Sequence, residues 1–130
     1  MTAQSPKVLL IDDDADVVAG MTAYLDLLGI EVLTASSVFE IPFLIGREKP
    51  DLVLLDMSLP LLDGAQILQS LSERVKRSTH FVLFSGRSRR ELADLVEELG
   101  ADDCISKSED MASIERRIRF WLDKTQHKTA

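Results

Sequence analysis

The sequence predicts an α/β domain in which a five-stranded parallel sheet carries helices on both faces. Two patterns point there. Short apolar runs of strand length recur along the chain, and between them apolar residues fall at helical spacing. Three of these runs are apolar at consecutive positions rather than alternating, as in strands covered on both sides. Five strands alternating with five helices in 130 residues imply parallel pairing through right-handed crossovers.

The first strand is Val8-Leu9-Leu10-Ile11, the third Leu52-Val53-Leu54-Leu55 and the fourth Phe81-Val82-Leu83-Phe84. Glu31 to Thr34 and Cys104-Ile105-Ser106 are weaker and suit places nearer the sheet edges. The first helix sets Val17, Met21, Leu25 and Leu28 on one stripe and stops at Gly29. In the second, Ser37 and Glu40 have the spacing of a capping box. Pro42, at the fifth helical position, removes a ladder hydrogen bond, which predicts a kink or a late start. The third follows Asp63-Gly64 and runs through Ile67, Leu68 and Leu71. The fourth carries Leu92, Leu95, Val96 and Leu99 and ends at Gly100. The last repeats Met111, Ile114, Ile118 and Trp121 as its core face. From Thr125 to Ala130 the chain is polar, and a frayed tail or the start of a linker is expected.

A chain of 130 residues fits one domain, read as 1–130 with a core from about 7 to 124. Apolar residues at 45% and charged residues at 28% are the proportions of an ordinary globular protein. Cys104, the single cysteine, has no internal disulfide partner, which suggests a reducing compartment. No apolar run approaches the roughly 18 residues a membrane span requires. Met1 to Lys7 lacks a secretory apolar core. The expectation is a soluble, cytoplasmic protein without a membrane partner. A formal charge of −7 argues against direct nucleic-acid binding. Arg74, Lys76, Arg77, Arg87, Arg89 and Arg90 form a local basic stretch, read as a solvated rim rather than a docking patch.

In open parallel sheets, ligands bind beyond the carboxyl ends of the strands. Here the first strand ends in Asp12-Asp13-Asp14, the third in Asp56, the fourth in Ser85-Gly86, and the fifth runs into Lys107. Each piece alone has a bland reading: an acidic run complements a helix dipole, Ser-Gly makes a turn, and a lysine is a surface group. Their convergence on one edge is more specific. Clustered carboxylates suit a hard, oxygen-seeking divalent ion, and Mg²⁺ held by one or two of them keeps positions open for phosphate oxygens. A carboxylate in that shell can attack phosphorus, with Lys107, the metal and Ser85 placed to spread the charge.

These residues carry a resemblance. Leu10-Ile11-Asp12-Asp13-Asp14, Leu55-Asp56-Met57-Ser58-Leu59-Pro60-Leu61-Leu62-Asp63-Gly64, Phe84-Ser85-Gly86 and Gly100 to Lys107 resemble the response-regulator receiver family from about Lys7 to Lys124. Spacings of 43, 29 and 22 residues along Asp13, Asp56, Ser85 and Lys107 also fit. The resemblance implies a flavodoxin-like, doubly wound fold with strand order 2-1-3-4-5. It implies a switch in two-component signalling that takes a phosphoryl group onto Asp56 from a phospho-histidine of a sensor histidine kinase or phosphotransfer protein. It makes Asp13 a direct ligand of Mg²⁺ (or Mn²⁺ in its place), Asp12 a ligand mainly through metal-bound water, and the Ser58 carbonyl a further ligand. Lys107 would pair with the phosphoryl group, and Ser85 would move toward it. Asp14 reads as a helix-start residue and Gly64 as a turn residue. Such a domain catalyses only its own phosphorylation and dephosphorylation. A second copy or a downstream protein would meet the face made by the fourth helix, fifth strand and fifth helix.

Two positions depart from the family. Ser108 stands where a cis proline usually follows the lysine, and a trans Lys107–Ser108 bond is expected here. Cys104 stands where an aromatic residue usually reports the switch. It reads as a small buried hydrophobe, which shifts the burden of any output to the Ser85–Arg90 loop, the fourth helix or dimerisation. The rivals are an unphosphorylated interaction module of the same fold, a receiver fragment of a longer effector protein, and another α/β enzyme. The first strand is followed by neither a phosphate loop with lysine nor G-x-G-x-x-G, which disfavours nucleotide enzymes. Ser58 stands where an aspartyl phosphatase would place its acid-base aspartate.

Overall fold

The computed structural model describes residues 5–35, 37–56 and 78–128. In chain order these form β1 (Lys7–Ile11), α1 (Ala15–Leu27), β2 (Glu31–Ala35), a 3₁₀ turn (Val38–Glu40), α2 (Ile41–Glu48), β3 (Leu52–Asp56), β4 (His80–Ser85), α3 (Arg89–Leu99), β5 (Asp103–Ser106) and α4 (Met111–Lys128). The helices expected around Leu92–Leu99 and Met111–Trp121 are thus α3 and α4. The helix expected after Asp63-Gly64 lies outside the described residues.

All four strand pairings are parallel, in the order β2-β1-β3-β4-β5. The weakly apolar β2 and β5 are the edges, as their composition predicts. Side chains alternate across each strand, so the sheet feeds two cores. Leu9, Ile11, Val53, Leu55, Leu83 and Cys104 meet Ile41 and Ile45 of α2 and Leu92 of α3. On the other face Val8, Leu10, Leu54, Val82 and Ile105 meet Met21 and Leu25 of α1 and Ile114, Ile118 and Leu122 of α4. Each fully buried aliphatic side chain there contributes about 1.5–3 kcal/mol.

The helix ends follow local chemistry. Asp14 caps α1, accepting from the Asp16 and Val17 amides at 3.0 and 3.3 Å. Ser88 caps α3, accepting from the Glu91 amide at 3.3 Å. Gly100 closes α3 at φ 75°, a left-handed conformation that a Cβ would disfavour.

Three expectations are corrected. Ser37 and Glu40 do not cap α2: Ser37 Oγ accepts from Phe39 at the 3₁₀ turn, and α2 begins late, at Ile41, with Pro42 in its first turn. There the missing proline N–H costs nothing, because first-turn amides have no intrahelical acceptor. Met111 does not join the core stripe of α4. As the first residue of the helix it lies 36% exposed, while Leu122 is buried. Nor does the chain fray at Thr125. α4 runs on to Lys128, and the buried Thr125 hydroxyl shares its one proton between the Asp51 and Trp121 carbonyls, at 3.0 and 2.9 Å.

Candidate acidic site at the carboxyl edge of the sheet

Register builds the site. Ile11 pairs with Leu55, so the next residues along, Asp12 and Asp56, stand side by side at the ends of central strands. Ser85 pairs with Ser106, so Lys107 enters one residue past Ser85. The Asp12 amide still bonds the Ala35 carbonyl, at 3.1 Å, which holds Asp12 in line with β1. Asp12 and Asp56 are buried, whereas Asp13 is exposed at the mouth. Carboxylate oxygens of these three residues lie within 4.8 Å of one another.

Lys107 reaches in from the β5 edge. Its Nζ stands 2.8 Å from Asp12 Oδ2 and 3.4 Å from Asp56 Oδ1, over the face of the Phe84 ring at 5.3 Å from its centroid. The backbone aims it: the Lys107 amide donates to the Ser85 carbonyl at 2.6 Å. Burial pushes the Asp12 carboxyl above its ordinary value. Hydrogen bonds from Lys107 and the Asp14 amide oppose that push, and Asp56 adds to it. Burial alone would lower the Lys107 ammonium, yet the hydrogen bond to Asp12 and the charges of Asp56 and Asp12 outweigh it and leave the group raised. Lys107 is therefore charged at neutral pH, and two buried carboxylates share its ammonium.

The buried Ser85 Oγ accepts from the Arg87 amide at 3.3 Å. Cys104 is buried in β5, and burial, then the charge of Asp103, push its thiol up. The Lys107–Ser108 peptide is trans, as expected. The structure thus brings Asp12, Asp13, Asp56, Lys107 and Ser85 to one edge. The Ser58 carbonyl lies outside the described residues, as do Arg74, Lys76 and Arg77, while Arg87, Arg89 and Arg90 are exposed. Two participants escaped the reading of the sequence. Glu40 lines the crevice beside Asp12 and Asp13, and the Ser106 hydroxyl sits buried beside Lys107. Position at a strand end was a usable signal for Ser106. For Glu40 the helical spacing from Ser37 masked it.

A parallel sheet with helices on both faces, three carboxylates and a lysine at its carboxyl edge defines a class of α/β domains with an acidic strand-end site. Within that class the chain belongs to the response regulator receiver domain family, whose sequence model matches residues 8–119. A probable transcriptional regulator ycf27 from Porphyra purpurea is 33% identical over 131 residues, spanning 99% of this chain and 52% of that protein. The transcriptional regulatory protein PrrA of Mycobacterium tuberculosis is 33% identical over 118 residues, spanning 91% and 50%. The BeF₃-activated N-terminal receiver domain of Klebsiella pneumoniae RstA superposes with a TM-score of 0.77 at 33% identity, covering 89% of this chain and 97% of that one. The chain spans about half the length of the curated relatives it matches. It is a receiver domain of the two-component response-regulator type. Among the described residues no helix is long and apolar enough to cross a membrane.

Proposed function

We propose that Asp56 accepts a phosphoryl group from a phospho-histidine of a sensor histidine kinase or phosphotransfer protein. The supporting observation is the setting of Asp56. It is a buried carboxylate at the end of β3, with oxygens of Asp12 and Asp13 within 4.8 Å and an ammonium 3.4 Å away. The donor set is all oxygen and carries excess negative charge, which fits Mg²⁺, or Mn²⁺ in its place, and not a soft metal. Asp13 at the open mouth would be the direct ligand, Asp12 would act mainly through bound water, and Asp56, with the Ser58 carbonyl that the family resemblance implies, would complete the protein's share. When bound, the ion supplies positive charge to the transferring phosphoryl oxygens.

The chain's own residues do the rest. An Asp56 carboxylate oxygen attacks phosphorus, the P–N bond breaks, and its electron pair returns to the donor imidazole. Lys107, already charged, moves its ammonium onto a phosphoryl oxygen, and the Ser85 hydroxyl turns to donate to another. The domain acts on its own phosphoryl group and is not a turnover enzyme. It works in the cytoplasm, as the single domain 1–130 or as the receiver part of a longer effector protein. The α3–β5–α4 face is where a second copy or a downstream protein docks.

Acetyl phosphate or a phospho-histidine donor with Mg²⁺ should add one phosphoryl group to the wild-type chain and none to Asp56→Asn, read by intact-mass spectrometry. Equal labelling of the variant would overturn the assignment. Absence of labelling in both would favour an unphosphorylated interaction module. Sustained release of phosphate from a general phosphatase substrate would favour the enzyme reading.

A further inference from the structure

The residues on either side of Lys107 form a hydrogen-bonded latch. The buried Ser106 hydroxyl donates to the Arg87 carbonyl at 2.8 Å, and its oxygen lies 2.7 Å from Ser108 Oγ. A serine hydroxyl has one proton to give. Since that of Ser106 goes to Arg87, the Ser108 hydroxyl is the donor between the two serines. The Ser108 amide also points to Ser106 Oγ, at 3.3 Å. The Arg87 amide in turn donates to Ser85 Oγ. The result is a chain with one direction: Ser108 to Ser106, Ser106 to the Arg87 carbonyl, the Arg87 amide to Ser85. The N–H and C=O of Arg87 belong to neighbouring peptide groups that share its Cα, so the two ends of the chain are joined mechanically, through the backbone of that residue.

We propose that Ser106 and Ser108 are positioning residues that couple the Ser85–Arg87 loop to the turn after Lys107, and so relay the movement of Ser85 toward α4. The inference rests on the roles of Asp56 and Ser85 proposed above. If Ser85 Oγ turns toward a phosphoryl group on Asp56, the Arg87 amide loses its acceptor while the Arg87 carbonyl stays tied to Ser106. The peptide before Arg87 must then reorient while the peptide after it stays tied, and the backbone at Arg87 passes the strain to Ser106 and Ser108. The turn that receives it is short, because Glu109 closes back on Ser106 through the Ser106 amide at 2.8 Å and the Ser106 carbonyl at 3.0 Å. Proline at 108 would supply neither hydroxyl nor amide, so the latch depends on this chain's own serine. It also offers a route that needs no bulk at Cys104, whose small side chain cannot act as a large moving wedge.

Amide spectra of the whole chain with and without beryllofluoride and Mg²⁺ test the latch in wild type, Ser106→Ala, Ser108→Ala and Ser108→Thr. In wild type, shifts should spread from Asp56 through Arg87 to Ser108, Glu109 and Asp110. Ser106→Ala should keep the response at Asp56 and lose it at 108–110. Ser108→Ala, at an exposed position that leaves folding intact, should weaken it there, and Ser108→Thr, which keeps the hydroxyl, should restore it. A wild-type response that stops before Ser108, or one unchanged in Ser106→Ala, would overturn the latch while leaving the phosphoacceptor reading intact. Failure of wild type to bind the mimic at Asp56 would overturn both.

Discussion

Lys107→Met removes an ammonium that two buried carboxylates share while keeping most of the aliphatic stem. Its Nζ lies 2.8 Å from Asp12 and 3.4 Å from Asp56, whose side chains are 0% and 1% exposed. Taking away one partner of a buried ion pair costs about 3–5 kcal/mol, because the remaining charge stays desolvated. Lys107 is 19% exposed and Asp13 opens the mouth to water, so the low end, about 3 kcal/mol, is expected without metal. For a domain of this size that is a fall in Tm of roughly 10 °C. Two conditions should reverse it. Mg²⁺ at the proposed site would restore positive charge to the same carboxylates. Acid does so by protonation. With Asp12 held above its unfolded value by burial, the folded state binds more protons than the unfolded chain. The deficit is therefore full above the raised folded value and shrinks as pH falls toward the ordinary carboxylate range. Thermal melts in chelator and in Mg²⁺, at about pH 8 and about pH 5, provide the assay. An equal loss under all four conditions would mean that Lys107 contributes packing alone, and the charge argument would be wrong.

Asp13→Ala should abolish the thermal gain from Mg²⁺, which in wild type is about 2.7 kcal/mol at a hundredfold excess over Kd. The same substitution should leave the metal-free protein as stable or more so, because like charges are removed. Thr125→Val should cost about 1 kcal/mol in denaturant melts by deleting the buried tie to Asp51; no change would mean that α4 frays before this point. Cys104, buried and with its thiol pushed up, should alkylate in native protein far more slowly than in urea-unfolded protein, and equal rates would show an open β5 edge.

Much of this arrangement is legible in the sequence because two simple periodicities carry it. Continuous apolar runs mark β1, β3 and β4, and the stripe ending at Gly100 marks α3 with its left-handed terminus. Asp12, Asp56 and Ser85 are legible as a site because each follows the last apolar residue of a strand, Lys107 because it follows the last residue of β5, and parallel strands deliver their ends to one edge. Where reading failed, a tertiary contact overrode a local pattern. Thr125 looks like the start of a polar tail, yet its buried hydroxyl lies within hydrogen-bond distance of a carbonyl 74 residues away as well as one in its own helix. Ser37 and Glu40 have capping spacing, yet Pro42 is accommodated more cheaply in a first turn, which moves the helix start and turns Glu40 toward the acidic crevice.

The same limit explains why the departures from the family pattern read as losses in the sequence and otherwise in three dimensions. Cys104 and Ser108 are each smaller or less rigid than the residue usually found there. Taken one at a time they suggest a slack connection between the acidic edge and the surface of α3, β5 and α4. The structure places Ser108 beside a second serine that β5 pairs directly with Ser85. A side chain that lacks bulk can still hold a loop if its hydroxyl has a donor on one side and an acceptor on the other. Pairing of Ser85 with Ser106 across neighbouring strands sets the spacing at which this is met. A rigid proline and a bulky aromatic act through shape, whereas two serines act through the direction of hydrogen bonds.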